Sequence, residues 1–156
     1  ETDIYTSYLE DELNSLWPIL ERADMLIGFN SAHFDIPLLN KYYPGDLTKL
    51  KSLDILKEIH KSYGRRMKLD QLAEGTLGKK KSGHGLEAIE WWKKGEIEKI
   101  RQYCLDDVKL TKELYDFARE NNKLTFKEGG KLYDIKLETK DWEASSNNKL
   151  TFTLPF

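Results

Sequence analysis

One run of residues limits what this chain can fold into more than any other. Residues 25–29 read Met-Leu-Ile-Gly-Phe, end on Asn30 and are flanked by polar stretches. An apolar run of this length without polar alternation fits a strand buried on both faces, which belongs inside a parallel sheet covered by helices. The neighbouring periodicities supply those helices. Leu9, Leu13, Leu16, Trp17 and Leu20 recur at three- and four-residue spacing, and Pro18 is expected to kink or split that helix. Asp35 reads as the N-cap of a second helix, with Pro37 in its first turn and Leu38 and Leu39 facing inward. Residues 50–53 predict a further short strand that runs into a helix from Asp54 to about Tyr63, which Gly64 ends.

Beyond Gly64, residues 69–77 and 86–92 predict two short helices. A long one follows over residues 96–120, with an apolar stripe of Ile97, Ile100, Tyr103, Cys104, Val108, Thr111, Leu114, Tyr115 and Ala118. Cys104 and Val108 are expected on its more buried side. After Asn121-Asn122 the pattern turns to short strands at 124–126, 132–135 and 150–152, and Gly129-Gly130 suits a hairpin turn. The string Asn-Asn-Lys-Leu-Thr-Phe occurs at 121–126 and again at 147–152, which is too little to establish a repeat architecture. The expectation is an α/β domain over residues 1–121 and a short β-rich extension over residues 122–156. Residues 2–8, with Ile4, Tyr5 and Tyr8, form one more β-prone segment. The helices outnumber what two strands in the first 60 residues can cover, so a flanking strand is expected that the chain does not display.

A third of the residues are charged, yet the net charge is only −2, so a diffuse positive surface is not how this chain would hold nucleic acid. No apolar run approaches the roughly 20 residues of a membrane-spanning helix. The single cysteine, Cys104, can form neither an internal disulfide nor a zinc site alone, and a soluble cytoplasmic setting is the default expectation.

Three places carry possible chemistry. The first is residues 28–39, where a strand delivers Asn30 to its carboxyl end and Asp35 opens a helix. Ligands of α/β sheets bind at such ends, and a carboxylate there can hold a metal or its water; the plainer alternative is a helix cap. The second is Tyr103 and Asp107, four apart on one helix face, where a phenol can orient a water beside a cation-binding carboxylate. An ordinary surface pair is the alternative, and Asp106 projects elsewhere toward solvent. The third is the lysine run 79–81 with Arg65 and Arg66 upstream, which could meet phosphates or simply be solvated.

Taken together, these segments carry a resemblance. Asn30-x-x-x-Phe34-Asp35-x-Pro37 resembles the second motif of the DnaQ-like 3′–5′ exonucleases of the ribonuclease H-like superfamily. The proofreading domains of family B DNA polymerases and their stand-alone relatives look most similar. Tyr103-x-x-x-Asp107 before Val108 resembles their third motif in its tyrosine variant, since Gln102 stands where the histidine variant has His. Leu69-Asp70-x-Leu72-Ala73, Leu77-Gly78, Lys81, Trp91-Trp92 and Gly95 fit the stretch between, and the likeness spans about residues 3–120. It implies two-metal hydrolysis, with Mg²⁺ or Mn²⁺, of the phosphodiester at the 3′ end of a single strand. Asp107 would hold the metal of the attacking water and Asp35 the second. Tyr103 would orient that water; Asn30, Phe34 and Lys81 would touch the substrate.

One departure changes the expectation. The family's first motif is an Asp-x-Glu on an apolar strand, and none precedes Asn30: Glu10-Asp11-Glu12 sits in a helix pattern, and Asp134 and Glu138 have the wrong spacing and order. The chain, which begins with Glu1, is therefore expected to be a ribonuclease H-like domain incomplete at its N-terminus, weak or inactive alone, and part of a larger polymerase- or helicase-related protein. The alternatives are a non-catalytic nucleic-acid-binding or docking module and a plain structural domain. His33, His60 and His84 show no metal-ligand spacing. One of Trp91 and Trp92 is expected in the core, and Cys104 is expected as a small buried side chain.

Overall fold

The computed structural model describes residues 3–80 and 85–144. A short 3₁₀ turn at Glu10–Glu12 leads into helix α1 (Leu13–Arg22), then strand β1 (Leu26–Gly28) and helix α2 (Asp35–Leu39). Strand β2 (Ser52–Asp54) passes directly into α3 (Ile55–Tyr63); α4 (Leu69–Leu72) continues as a π-helical turn at Ala73–Leu77. Helices α5 (Gly85–Lys93) and α6 (Ile97–Asn121) precede the hairpin of β3 (Lys123–Glu128) and β4 (Lys131–Lys136). The α/β expectation is met, and no helix among the described residues is long and apolar enough to cross a membrane.

The apolar run at 25–29 does form a strand, but not the one buried on both faces that its composition suggests: Leu26 and Gly28 are half-buried and Ile27 is 41% exposed. β1 pairs in parallel with β2, in the register Leu26–Ser52, Ile27–Leu53 and Gly28–Asp54. Among the described residues β1 has no ladder partner on its other edge. Of the β-prone segment 2–8, residues 3–8 take no regular secondary structure and join no sheet. Side chains of α6 tether them instead: Arg101 donates to the Ser7 hydroxyl at 2.6 Å, and Lys112 lies 3.3 Å from the Asp3 carboxylate. Pro18 is accommodated inside α1 and does not split it.

The main core joins α3, α4, α6 and the hairpin. Ile55, Ile59, Leu72, Leu114, Leu124 and Ile135 are all essentially inaccessible to solvent within it. A domain boundary after residue 121 would cut through this core, because Leu124, Phe126 and Ile135 lie at its centre. The hairpin turns on Gly129 and Gly130 at φ 57° and 76°, a backbone region that glycine enters freely. The strand candidate at 150–152 lies outside the described residues. A smaller cluster of Trp17, Ile36 and Leu47 holds α1 and α2 together.

The hairpin is fitted closely against the π-helical turn. A Cβ on Gly75 would stand 2.5 Å from the Thr125 carbonyl oxygen and 2.7 Å from the Phe126 backbone, so only glycine allows this approach. Next to it, the Thr76 hydroxyl donates to the Thr125 carbonyl at 2.7 Å and accepts the Thr125 N–H at 2.9 Å. Gly75→Ala is expected to cost about 1–3 kcal/mol through overpacking of a rigid backbone contact. Urea unfolding checks this, and an unchanged midpoint would refute the close fit.

Candidate nucleic-acid site in the cleft beside the parallel strands

The parallel strands end side by side, Gly28 opposite Asp54. After Gly28 the chain doubles back, and a Cβ there would lie 2.5 Å from the Ser31 Cβ, so the return needs glycine. Asn30 takes the left-handed conformation, φ 61°, which asparagine tolerates better than most residues. The turn is clasped from β2. The Asp54 carboxylate accepts the backbone N–H of Asn30 at 2.8 Å, of Ala32 at 3.1 Å and of Leu56 at 3.0 Å. One buried side chain thus caps α3 and fixes the loop that presents the next residues. The sequence marks Asp54 only as a helix start, and its grip on a loop 24 residues away has no sequence signal.

Asp35 is the first residue of α2, not its N-cap as expected; Phe34 holds the cap position and makes no side-chain cap bond. The Asp35 carboxylate is therefore not used up in capping. Its pKa is raised above the ordinary 3.8, first by partial burial of the carboxylate in the concave wall and then by the Asp54 charge, against a lowering backbone hydrogen bond. Phe34 stands 61% exposed.

Asp107 reaches the same place from α6. Asn30, Phe34, Asp35 and Asp107 all line one open cleft of about 1360 Å³, whose walls include β1, α2 and α6. Four of the six residues expected to form the site are thus brought together. Tyr103 is not part of the lining. It packs edge-on against Trp91 with ring centroids 6.0 Å apart, its hydroxyl 3.7 Å from where a Cβ on Gly85 would sit, and Gly85 itself lines the cleft. Lys81 lies outside the described residues.

Three expectations about neighbours are corrected. Cys104 is exposed and Val108 is 57% exposed, because the stripe they share faces the open cleft, not packed core. Neither Trp91 nor Trp92 is buried, since α5 lies on the surface and contributes no buried residue. Asp106, expected in solvent, is half-buried and accepts the Gln102 side-chain amide at 2.8 Å. A carboxylate that sequence reading gave no role, Asp70, also lines the cleft, and its Oδ1 is shielded from water without a hydrogen-bond partner.

These carboxylates suit a divalent cation by their chemistry, but not as a finished set. Among the described residues no three His, Cys, Asp or Glu side chains gather closely enough to hold one metal ion. Asp35, Asp70 and Asp107 share a cleft without closing on a common point.

A family model described as RNase_H superfamily matches residues 3–119, about three quarters of the chain. The chain belongs to the RNase H superfamily. No curated protein and no solved structure matches it. Within this superfamily domain the cleft lies where α/β folds place ligands, at the carboxyl ends of parallel strands.

Two substitutions test the geometry. Asp54→Ala leaves buried N–H groups without an acceptor and is expected to cost about 1–3 kcal/mol, read by urea unfolding. Asp35 gives a pH signature. Its raised pKa means that the folded state holds the proton more tightly than the unfolded chain, so ionising it costs stability. That cost is absent below pH 3.8 and complete once the pH passes the raised value. Asp35→Asn should therefore raise Tm near pH 7 and lose the gain near pH 3; a gain equal at both would refute the assignment.

Proposed function

We propose that this RNase H superfamily domain is a nucleic-acid-processing module of the 3′–5′ exonuclease type, its cleft receiving the terminal nucleotides of a single strand. The observation that carries the reading is that Asp35 and Asp107, from distant parts of the chain, open into one cleft. Phe34, exposed on the same cleft, is suited to stack on a base, an interaction worth about 1–3 kcal/mol. Asp35 and Asp107 are the proposed ligands of divalent cations, Mg²⁺ or Mn²⁺, whose chemistry in such sites is to activate water and steady the leaving oxygen. Tyr103, one helical turn before Asp107, is the proposed orienting group for that water.

Two carboxylates do not balance two dications, so the chain alone is expected to bind Mg²⁺ weakly and to cleave little or nothing. The same observation favours a second reading, a docking module that binds nucleic acid without cutting it. Incubation of the purified chain with Mn²⁺ and an end-labelled single strand separates the two properties. Binding without shortening is the expected result, and stepwise shortening from the 3′ end would overturn the inactivity. Asp35→Asn and Asp107→Asn should both weaken Mn²⁺ binding by titration calorimetry. If they alter only thermal stability, the cleft is not a metal site and the domain is structural.

A further inference from the structure

Two adjacent arginines part company at the edge of the cleft. Arg65 turns to the hairpin, where its guanidinium meets Glu128 at 3.2 and 2.5 Å and lies 5.7 Å from the centre of the Phe126 ring. Arg66 turns the other way, lines the cleft and donates to the Asn30 side-chain oxygen at 2.6 Å.

Among the described residues Arg66 forms no ion pair, although Asp35, Asp70 and Asp107 line the same cleft. The chain has five arginines. Arg65, Arg101 and Arg119 are ion-paired with carboxylates, and Arg22 donates to the Pro18 carbonyl. Among the described residues no carboxylate lies within 4.0 Å of the Arg66 guanidinium. A guanidinium offers five N–H donors in a planar fork that matches the oxygens of a phosphate. A single bond to a neutral amide aims that fork and leaves it without a direct carboxylate partner among the described residues. The aim is itself fixed, because Asp54 holds the Asn30 backbone at 2.8 Å.

We propose that Arg66 is the phosphate anchor of the cleft, gripping one backbone phosphate of a single-stranded nucleic acid whose neighbouring base stacks on Phe34. Asn30 is then a positioning residue that orients the guanidinium. The assignment rests on the reading of the cleft as a nucleic-acid site, and it explains how a chain of net charge −2 could still hold a polyanion: by a placed cation, not a diffuse field. It also gives Phe34 its partner, since one contact fixes the backbone and the other the base.

The experiment is fluorescence anisotropy of a labelled single-stranded oligonucleotide, titrated with the full chain over a range of salt concentrations. Wild type, Arg66→Gln and Arg65→Gln are compared, with thermal unfolding to confirm that each is folded. Arg65→Gln should match wild type. Arg66→Gln should bind more weakly, with a plot of log K against log salt shallower by about 0.7, the share of one phosphate on a single strand. Arg66→Lys should keep the slope and lose affinity, because the charge remains without the fork. Asn30→Ala should weaken binding through Arg66, and adding it to Arg66→Gln should cause little further loss. If wild type does not bind, the cleft is not a nucleic-acid site and the proposed function fails with it. If wild type binds and Arg66→Gln retains its affinity and slope, the anchor assignment alone is wrong.

Discussion

The clasp of Asp54 on the loop after β1 holds the cleft in shape. A two-stranded parallel ladder of three pairs is a weak structure by itself. Its carboxyl end is made definite by one buried carboxylate that takes N–H groups from both sides of the strand pair, two in the loop and one in α3. Hydrogen bonds to a charged acceptor are stronger than neutral ones, and here they join the loop after β1 to the start of α3. Left-handed Asn30 and the return at Gly28 both lie in the loop that this clasp secures.

The chemistry of the site follows from that shape. The loop carries Phe34 to the surface and sets Asp35 at the head of α2, free of capping duty. Asp35 is close enough to Asp54 for the two charges to repel, and that repulsion adds to burial in favouring the protonated acid. Such a group gains by meeting a cation. Across the cleft, α6 offers Asp107 on a stripe that is apolar in composition yet turned to open space.

Much of this was legible in the residues, and the parts that were not have identifiable causes. Local signals served well: the unalternated run at 25–29 became β1, Asp54 did begin α3, and Gly129-Gly130 closed the hairpin. Motif spacing brought Asn30, Phe34, Asp35 and Asp107 into one cleft. Pattern alone does not fix burial. Cys104 and Val108 lie on the correct stripe of α6, but a stripe does not say whether anything packs on it. The helix cap was misplaced by one residue because Asp is common both at N-cap and in the first turn. The long-range ties, Asp54 to Asn30 and Arg66 to Asn30, leave no periodic trace and could only come from coordinates.

The meeting of Thr76 with Thr125 has a consequence for how the molecule avoids its own kind. A bare hairpin margin is a template on which another chain can lay a strand, the first step toward swapped dimers and fibres. Here a hydroxyl group stands in for the missing neighbour at the middle of β3, while the helical turn around Gly75 occupies the space an intruding chain would need. That margin is occupied at Thr125, whereas the edge of β1 without a ladder partner among the described residues is the more inviting place for a foreign strand to attach.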